Sequence, residues 1–224
     1  MNDGIVIIPT YNEIENIESI IRTVFSLQKP FHILIVDDNS PDQTAKKVKA
    51  LQEEFPDRLF MESREKKSGL GTAYVHGFKW ALERHYDYIF EMDADFSHNP
   101  NDLEKLYDAC RFGIYDMSIG SRYVTGVNVV NWPLSRVLLS YFASVYVRMI
   151  TGMEIQDTTA GFVCYKRKVL QDINLDKIKF IGYAFQIEMK YRTYAKKFKI
   201  VEVPIIFTDR TKGQSKMSNS MIKE

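Results

Sequence analysis

The stretch Tyr88-Ile89-Phe90-Glu91-Met92-Asp93-Ala94-Asp95 decides the reading of this chain. It begins as an apolar run of strand character and ends in two carboxylates one residue apart. In an open α/β sheet, ligands bind outside the carboxyl ends of the strands. Acidic side chains at such an end face a site and need no burial in the core. Two hard oxygen donors so spaced suit a divalent cation that also holds substrate phosphates. An isolated Asp-x-Asp is common in surface turns. This one follows a strand, and other strand ends carry polar clusters as well, which marks a site. Ser97 and His98 lie within reach of it. Ser97 is the better additional ligand, because a histidine in such a loop more often caps or packs.

Outward from this strand, residues 1–125 alternate strands and helices. Ile5–Ile8 is a short apolar run, and Asn12-x-x-Glu15 offers a capping box for the next helix. That helix places Ile14, Ile17, Ile20, Ile21, Val24 and Phe25 on one face. Ile33–Val36 runs into Asp37-Asp38-Asn39-Ser40, and a helix follows from Asp42 with Ala45, Val48 and Leu51 inward. Leu59–Met61 reads as a third strand, and Gly69 begins another helix. Asn99-Pro100 opens the helix after Asp95, with proline at an early position where its missing N–H is harmless. Met117–Ile119 is the next strand and ends in Gly120-Ser121-Arg122. This alternation predicts an α/β fold with a mainly parallel sheet flanked by helices. Right-handed crossovers place the strand ends on one edge, so the polar clusters at 9–13, 37–40, 93–98 and 120–123 converge. The second half is less regular. It holds an apolar helix at Leu134–Ile150, the segment Asp157-Thr-Thr-Ala-Gly161-Phe162, a helix at Phe185–Ala195 and a strand at Ile200–Phe207. A polar, basic tail from Asp209 reads as mobile.

With 224 residues, 45% of them hydrophobic, the chain suffices for one sizeable core. Its net charge of +1 exerts no general pull on nucleic acid, so no nucleic-acid partner is expected. Cys110 and Cys164 are far apart in sequence and lack metal-ligand spacing, which suits two reduced thiols in a cytoplasmic protein. No signal segment follows Met1, and no uninterrupted apolar run reaches the roughly 18 residues of a membrane span. Leu134–Ile150 comes nearest, but Arg136, Arg148 and serines interrupt it. It reads either as a core or dimer-interface helix, or as a helix lying on a membrane surface with snorkelling arginines.

The remaining motifs each carry two readings. In Pro9-Thr10-Tyr11-Asn12-Glu13, Tyr11 offers a face on which a nucleobase stacks, while the same residues make a strand–helix turn. Asp37-Asp38 can accept hydrogen bonds from a base or ribose, or form an Asx turn; Asp38 is the more ligand-facing and Asp37 the more structural. Lys67-Ser-Gly69-Leu-Gly71-Thr72-Ala73 resembles a phosphate cradle at a helix start, or its glycines permit close packing. It is neither a Walker A loop nor a dinucleotide fingerprint. Arg122, Arg136, Arg210 and Lys216 suit a diphosphate and a phosphate acceptor, with Arg122 at a strand end. The segment from Arg210 to Lys216 reads as a loop able to close over a ligand.

Taken together, Ile8-Pro-Thr-Tyr-Asn-Glu13, Val36-Asp-Asp-Asn-Ser-Pro-Asp42, Arg64-Glu-Lys-Lys-Ser-Gly-Leu-Gly-Thr-Ala-Tyr74, Met92-Asp-Ala-Asp-Phe-Ser-His98, Gly120-Ser-Arg-Tyr123, Gly182-Tyr-Ala-Phe-Gln-Ile-Glu-Met189 and Asp209-Arg-Thr-Lys-Gly-Gln-Ser-Lys216 resemble the family-2, GT-A-type glycosyltransferases. Within them the chain is similar to the dolichol-phosphate (polyprenyl-phosphate) mannose synthases. The resemblance implies a GT-A domain over residues 1–216: a nucleotide-binding half at 1–125, an acceptor-side half at 126–216 with an interfacial helix at about 134–150, and a tail at 217–224. It implies inverting transfer of mannose from GDP-mannose to a polyprenyl phosphate with Mg²⁺ or Mn²⁺. By position, Pro9, Tyr11, Glu13, Val36 and Asp38 would hold the nucleoside. Asp93, Ala94 and Asp95 would hold the diphosphate and metal, with Ser97 near the metal. Arg122, Arg210 and Lys216 would contact the donor and transferring region, with Asp95 as the other catalytic residue. Arg136 and Ser140, with Arg122, would meet the acceptor phosphate.

That assignment turns the Leu134–Ile150 helix toward a membrane-facing role, with the protein peripheral on the cytoplasmic face. A phosphate monoester is already anionic, so no single general base is named; Asp157 is the nearest candidate, or else orients its loop. Two departures stand out. Tyr141-Phe142 follow Ser140 where relatives often carry a basic residue and glycine, and the chain stops at Glu224 where relatives commonly continue. A membrane-anchoring partner is one expectation that follows. The competing readings are transfer of glucose or N-acetylglucosamine from a UDP-sugar, a non-catalytic nucleotide-binding subunit, and a nucleotidyltransferase that would need a second metal site.

Overall fold

Every residue of Ile5–Ile8 is closed to solvent, the condition of a parallel strand covered on both faces. These residues lie in β1 (Gly4–Thr10), and alternate ones go to opposite cores. Ile5 and Ile7 join one cluster, Val6 and Ile8 the other. In β2 (His32–Asp37), Leu34 and Val36 likewise separate from Ile33 and Ile35. Each such enclosed Ile or Leu contributes roughly 1.5–3 kcal/mol, so two strands of this kind fix the middle of the fold. The computed structural model describes residues 3–210.

The sheet continues with β3 (Leu59–Ser63), β4 (Tyr88–Glu91), β5 (Met117–Ser121), β7 (Val163–Lys166) and β8 (Ile200–Pro204), in the order β3-β2-β1-β4-β7-β5-β8. All neighbours are parallel except β7, which runs antiparallel to both β4 and β5. Helices α1 (Ile17–Phe25), α2 (Thr44–Glu54) and α4 (Asp102–Arg111) supply one core through Ile20, Val48 and Leu106. Helices α3 (Leu70–Glu83), α6 (Arg167–Asp172) and α7 (Ala184–Ala195) supply the other through Phe78, Leu170 and Phe185. This is the expected α/β architecture. A small parallel pair, β6 (Val129–Val130) with β9 (Phe207–Thr208), lies apart from the main sheet.

Several local expectations need correction. No capping box forms at Asn12 and Glu15. Asn12 takes a left-handed backbone and its N–H donates to Ser40 Oγ at 3.0 Å, so α1 begins only at Ile17 and Ile14 is exposed. The Ile200–Phe207 strand divides into β8 and β9 at Pro204, whose ring supplies no ladder donor. Strand β7 and helix α6 were absent from the sequence reading. The tail is tied down at its start, where Asp209 N donates to Val130 O at 3.0 Å. Cys110 and Cys164, distant in sequence, are brought together as free buried thiols, with the Cys110 Sγ 3.8 Å from the Cys164 carbonyl.

The apolar helix is α5 (Leu134–Thr151), and the core-helix reading of it fails: Ser144 is its only buried residue. Leu134, Leu139, Phe142, Tyr146, Met149 and Ile150 all lie open to solvent. No helix among the described residues is long and apolar enough to cross a membrane.

Candidate active site

The parallel register brings the first two strand ends together: Pro9 lies beside Val36 and Thr10 beside Asp37. Asp37 is structural. Its carboxylate accepts from Thr10 Oγ1 at 2.8 Å and from Ser40 N and Oγ at 3.0 and 2.6 Å. Asp38 is gripped by a residue to which the sequence reading gave no role. Arg64 donates Nε to Oδ1 at 2.6 Å and Nη2 to Oδ2 at 2.7 Å, and its Nη1 reaches Thr72 Oγ1 at 2.8 Å. The sequence signal was present, since Arg64 opens one of the motifs quoted above. Tyr11 is half-buried with Lys67 Nζ 4.9 Å from its ring centre, and Glu13 is buried with Asn16 Nδ2 on its carboxylate at 3.2 Å. The side chains of Val36 and Ala94 are enclosed in the cores, which leaves only their backbones to a ligand.

The glycine segment is a packing device, not a cradle. A Cβ on Gly71 would stand 2.7 Å from the Phe185 ring and 2.9 Å from Phe180 O, and Gly71 N donates to Ile181 O at 2.9 Å. Gly69 adopts a φ of +100° against Ile181. The first turn of α3 is thereby locked to the segment leading into α7.

Beyond β4 the chain turns sharply at Phe96, whose φ of 59° is unusual for a bulky residue. This turn brings Ser97 N back to Asp95 Oδ1 at 3.0 Å. Arg210 Nη2 meets Asp95 Oδ2 at 2.6 Å. Burial favours the neutral Asp95 acid, but Ser97 and Arg210 outweigh it and hold its pKa below the ordinary value. Asp93 has no such partner. The nearest groups are Tyr74 OH at 3.5 Å and His98 Nδ1 at 3.9 Å. Desolvation, then repulsion from Asp95, push its carboxyl up to about 7. Since 37% of the Asp93 side chain is accessible, the repulsion is the part of that shift on which the geometry insists. Two acids thus share one guanidinium, an arrangement that fits a cation. Among the described residues no group of three or more His, Cys, Asp or Glu side chains forms a metal cage, so most ligands would come from phosphates and water, as Mg²⁺ prefers.

Ser97 is buried, and its hydroxyl lacks a hydrogen-bond partner of good geometry. His98 stacks on Phe162 at 4.9 Å and meets Phe207 edge-on at 5.3 Å; burial lowers its pKa to about 4. It is a neutral packing residue.

Arg122 and Asp157 form a closed pair. Arg122 donates its backbone N and Nε to Oδ2 at 3.0 and 2.7 Å, and Nη2 to Oδ1 at 2.6 Å. Burial alone would raise the Asp157 carboxyl, but Arg122 holds it below the ordinary range. Asp157 is an anchor for Arg122, the loop-orienting alternative, and its committed lone pairs do not suit a general base. The loop is fixed from behind, where Glu202 accepts from Gln156 N and Asp157 N at 2.7 and 2.9 Å. Buried Lys190 donates to Ala160 O at 2.6 Å, and Gln186 joins the same network to Glu91.

Trp132, unremarked in the sequence, gathers the basic residues. The guanidinium of Arg136 lies 4.0 Å and that of Arg122 5.3 Å from its ring centre, with Phe207 packed at 5.1 Å. Arg136 Nη1 also pairs with Asp209 Oδ1 at 3.1 Å. Ser140 follows Arg136 by one helical turn and is half-buried. Lys216 lies outside the described residues.

A mainly parallel sheet whose strand ends carry polar turns, an acidic pair and a basic cluster has the form of a GT-A-type glycosyltransferase. Residues 5–173 match the family described as Glycosyl transferase family 2, to which the chain belongs. It is 48% identical over 220 residues to the polyprenol monophosphomannose synthase of Mycolicibacterium smegmatis, covering 98% of this chain and 83% of that protein. It is 44% identical to the undecaprenyl-phosphate mannosyltransferase of Micrococcus luteus, covering 97% of this chain and 88% of that one. Identity to the dolichol-phosphate mannosyltransferase of Pyrococcus furiosus is 37%, over 98% of this chain and 60% of that protein. In fold, it resembles the mannosyltransferase PcManGT from Pyrobaculum calidifontis, solved with GDP-Man and Mn²⁺. The TM-score is 0.64 at 16% identity, covering 95% of this chain and 58% of that one. Glucosyl-3-phosphoglycerate synthase from Mycobacterium tuberculosis gives a TM-score of 0.68 at 18% identity, covering 96% and 73%.

Proposed function

We propose that this glycosyltransferase moves mannose from GDP-mannose to a polyprenyl phosphate at a membrane surface, with Mg²⁺ or Mn²⁺ and inversion at the anomeric carbon. The observation that carries the reading is the junction of two unlike surfaces. The Asp93/Asp95 pair and the basic cluster meet beside α5, whose outer face is open and apolar. The names of the relatives support the acceptor class, and the GDP-Man held by the Pyrobaculum mannosyltransferase is in keeping with GDP-mannose as donor. Residues 1–125 would serve the nucleotide and residues 126–216 the acceptor. The exposed apolar face of α5 would rest on the cytoplasmic face of the membrane, with or without an anchoring partner.

In this reading Pro9, Tyr11, Glu13 and the Arg64-held Asp38 line the nucleoside end. Asp93 and Asp95, with Ser97 behind them, would hold the cation that accompanies the diphosphate. When bound, that cation neutralises charge on the departing diphosphate. Arg122 is held to its loop through Nε and Nη2, which leaves Nη1 for a phosphate oxygen. Arg136 and Ser140 orient the acceptor phosphate, and Arg210 faces the diphosphate. The acceptor oxygen is anionic near neutral pH, so it attacks the anomeric carbon without a base. The bond to the diphosphate breaks, and that group carries the electron pair away. Positioning and charge stabilisation supply the rate.

The test is transfer of radiolabelled sugar from GDP-mannose, with UDP-glucose in parallel, to a short polyprenyl phosphate, with Mg²⁺ and then with EDTA. The expected result is a labelled lipid only with GDP-mannose and metal. Transfer from the UDP-sugar alone would overturn the donor. Asp95→Ala should abolish turnover while circular dichroism shows the fold intact.

A further inference from the structure

We propose that Arg210 is a built-in counter-ion that keeps Asp95 closed to metal until a nucleoside diphosphate arrives, so that cation and donor enter as one unit. The inference rests on the reading of Asp93 and Asp95 as the metal ligands and adds how their loading is controlled.

Both oxygens of Asp95 are engaged by the protein itself. Ser97 N occupies Oδ1 at 3.0 Å, and the Arg210 guanidinium occupies Oδ2 at 2.6 Å. The contact is shielded, with 8% of the Asp95 side chain and 23% of the Arg210 side chain accessible. Charge-assisted hydrogen bonds of this kind are about twice as strong as neutral ones. One lone pair of each oxygen is thus committed, and a cation approaching Oδ2 meets the guanidinium charge of Arg210 directly. A bare divalent ion gives little in return. It finds two carboxylates and no third His, Cys, Asp or Glu among the described residues, and it leaves Arg210 facing the incoming positive charge. A diphosphate resolves both difficulties at once. Its oxygens complete the cation's shell, and its negative charge receives the displaced guanidinium in bidentate fashion.

The backbone around Arg210 suits a side-chain swing in place of a moving lid. Thr208 N donates to Ser97 O at 3.2 Å, Asp209 N to Val130 O at 3.0 Å, and Arg210 N to Asp209 Oδ1 at 3.1 Å. The strap is thereby stapled to the metal-side loop on one flank and to β6 on the other. Asp209 is further held by Arg136 at 3.1 Å. With its main chain anchored, Arg210 has the rotamers of a long side chain with which to pass from carboxylate to phosphate. Cation and nucleotide then bind with positive coupling, and such coupling is reciprocal between the two ligands.

The experiment measures Mn²⁺ binding by the free-ion electron paramagnetic resonance signal, without nucleotide and with saturating GDP or UDP. The proteins are the full chain, Arg210→Ala, Arg210→Gln and Arg210→Lys. The expected result is nucleotide-free Mn²⁺ binding tighter by on the order of 10-fold in Arg210→Ala, the worth of one charge-assisted hydrogen bond. The nucleotide-induced gain in Mn²⁺ affinity should shrink in the same variant. Arg210→Gln, neutral and close in length, should behave like Arg210→Ala, which separates lost charge from lost packing, while Arg210→Lys should stay near wild type. Equal nucleotide-free affinity in wild type and both neutral variants overturns the gate and leaves the metal site standing. No Mn²⁺ bound to wild type even with either nucleotide overturns the metal reading, and the gate with it.

Discussion

Replacing Asp157 by alanine should cost the protein about 4 kcal/mol of folding stability, because it strands a buried arginine whose partner is lost. The Asp157 side chain is wholly inaccessible and that of Arg122 is 8% accessible. Three hydrogen bonds run between them, from Arg122 N, Nε and Nη2. After the substitution only Thr159 Oγ1, at 2.8 Å, remains on the guanidinium. Breaking a buried pair by removing one member typically costs 3–5 kcal/mol, and the intact geometry here places the change inside that range. Asp157→Asn keeps the shape but turns one acceptor into a donor facing the guanidinium, so it should lose roughly 3 kcal/mol by the same reasoning. The assay is equilibrium urea unfolding followed by circular dichroism, alongside sugar transfer. Both variants should lose stability and activity together. Asp157→Asn with a wild-type unfolding curve and no turnover would refute the reasoning and restore Asp157 as a general base. The sign with pH is also fixed. The folded carboxyl lies below its unfolded value, so its contribution is complete above the unfolded pKa and disappears as pH falls through the folded one.

His98 is held neutral with a pKa of about 4 against an ordinary 6.5, so the unfolded chain binds the extra proton first. Stability should therefore fall as pH drops from about 6.5 toward 4, by up to about 3 kcal/mol from this group. In His98→Phe, which retains the stack on Phe162, urea midpoints at pH 7 and pH 5 should differ less than in wild type. Gly71→Ala should destabilise by about 1–3 kcal/mol, since its Cβ would meet the Phe185 ring at 2.7 Å; an unchanged thermal midpoint would show that the α3–α7 contact yields freely. Arg136→Ala should raise the apparent KM for polyprenyl phosphate about 10-fold or more, the worth of one charged hydrogen bond, with little change for the donor. Equal loss of both would remove Arg136 from the acceptor side.

The first four strands and the carboxylate pair were legible because their signals are local. Ile5–Ile8 and Ile33–Val36 are short apolar runs that end in polar turns, and Asp93 and Asp95 sit where such a turn must lie. What escaped depends on contacts distant in sequence. Val163-Cys-Tyr-Lys166 has strand-forming residues, but nothing local shows that it inserts between β4 and β5 or runs the other way. Arg64 and Trp132 look like ordinary turn residues until the fold places Asp38 beside one and two guanidinium groups over the other. The capping-box spacing at Asn12 was a correct pattern defeated by Ser40, a partner from the next strand end. The apolar helix at Leu134–Ile150 was legible from its composition, but composition carries no information on whether protein covers it.

The insertion of β7 between β4 and β5 bears on how the chain is made. Tyr165 of β7 bonds to Glu91 of β4, 74 positions earlier. During synthesis, β1 to β4 therefore leave the ribosome and can pair among themselves while one edge of β4 stays bare. That edge bears Ile89 and Phe90, and it remains a template for unwanted pairing until β7 emerges. Both flanks of the acidic pair are then completed late. Its scaffold strand is closed by β7, and its counter-ion arrives with Arg210, so a nascent or truncated chain lacking them carries the two carboxylates without the structure that disciplines them.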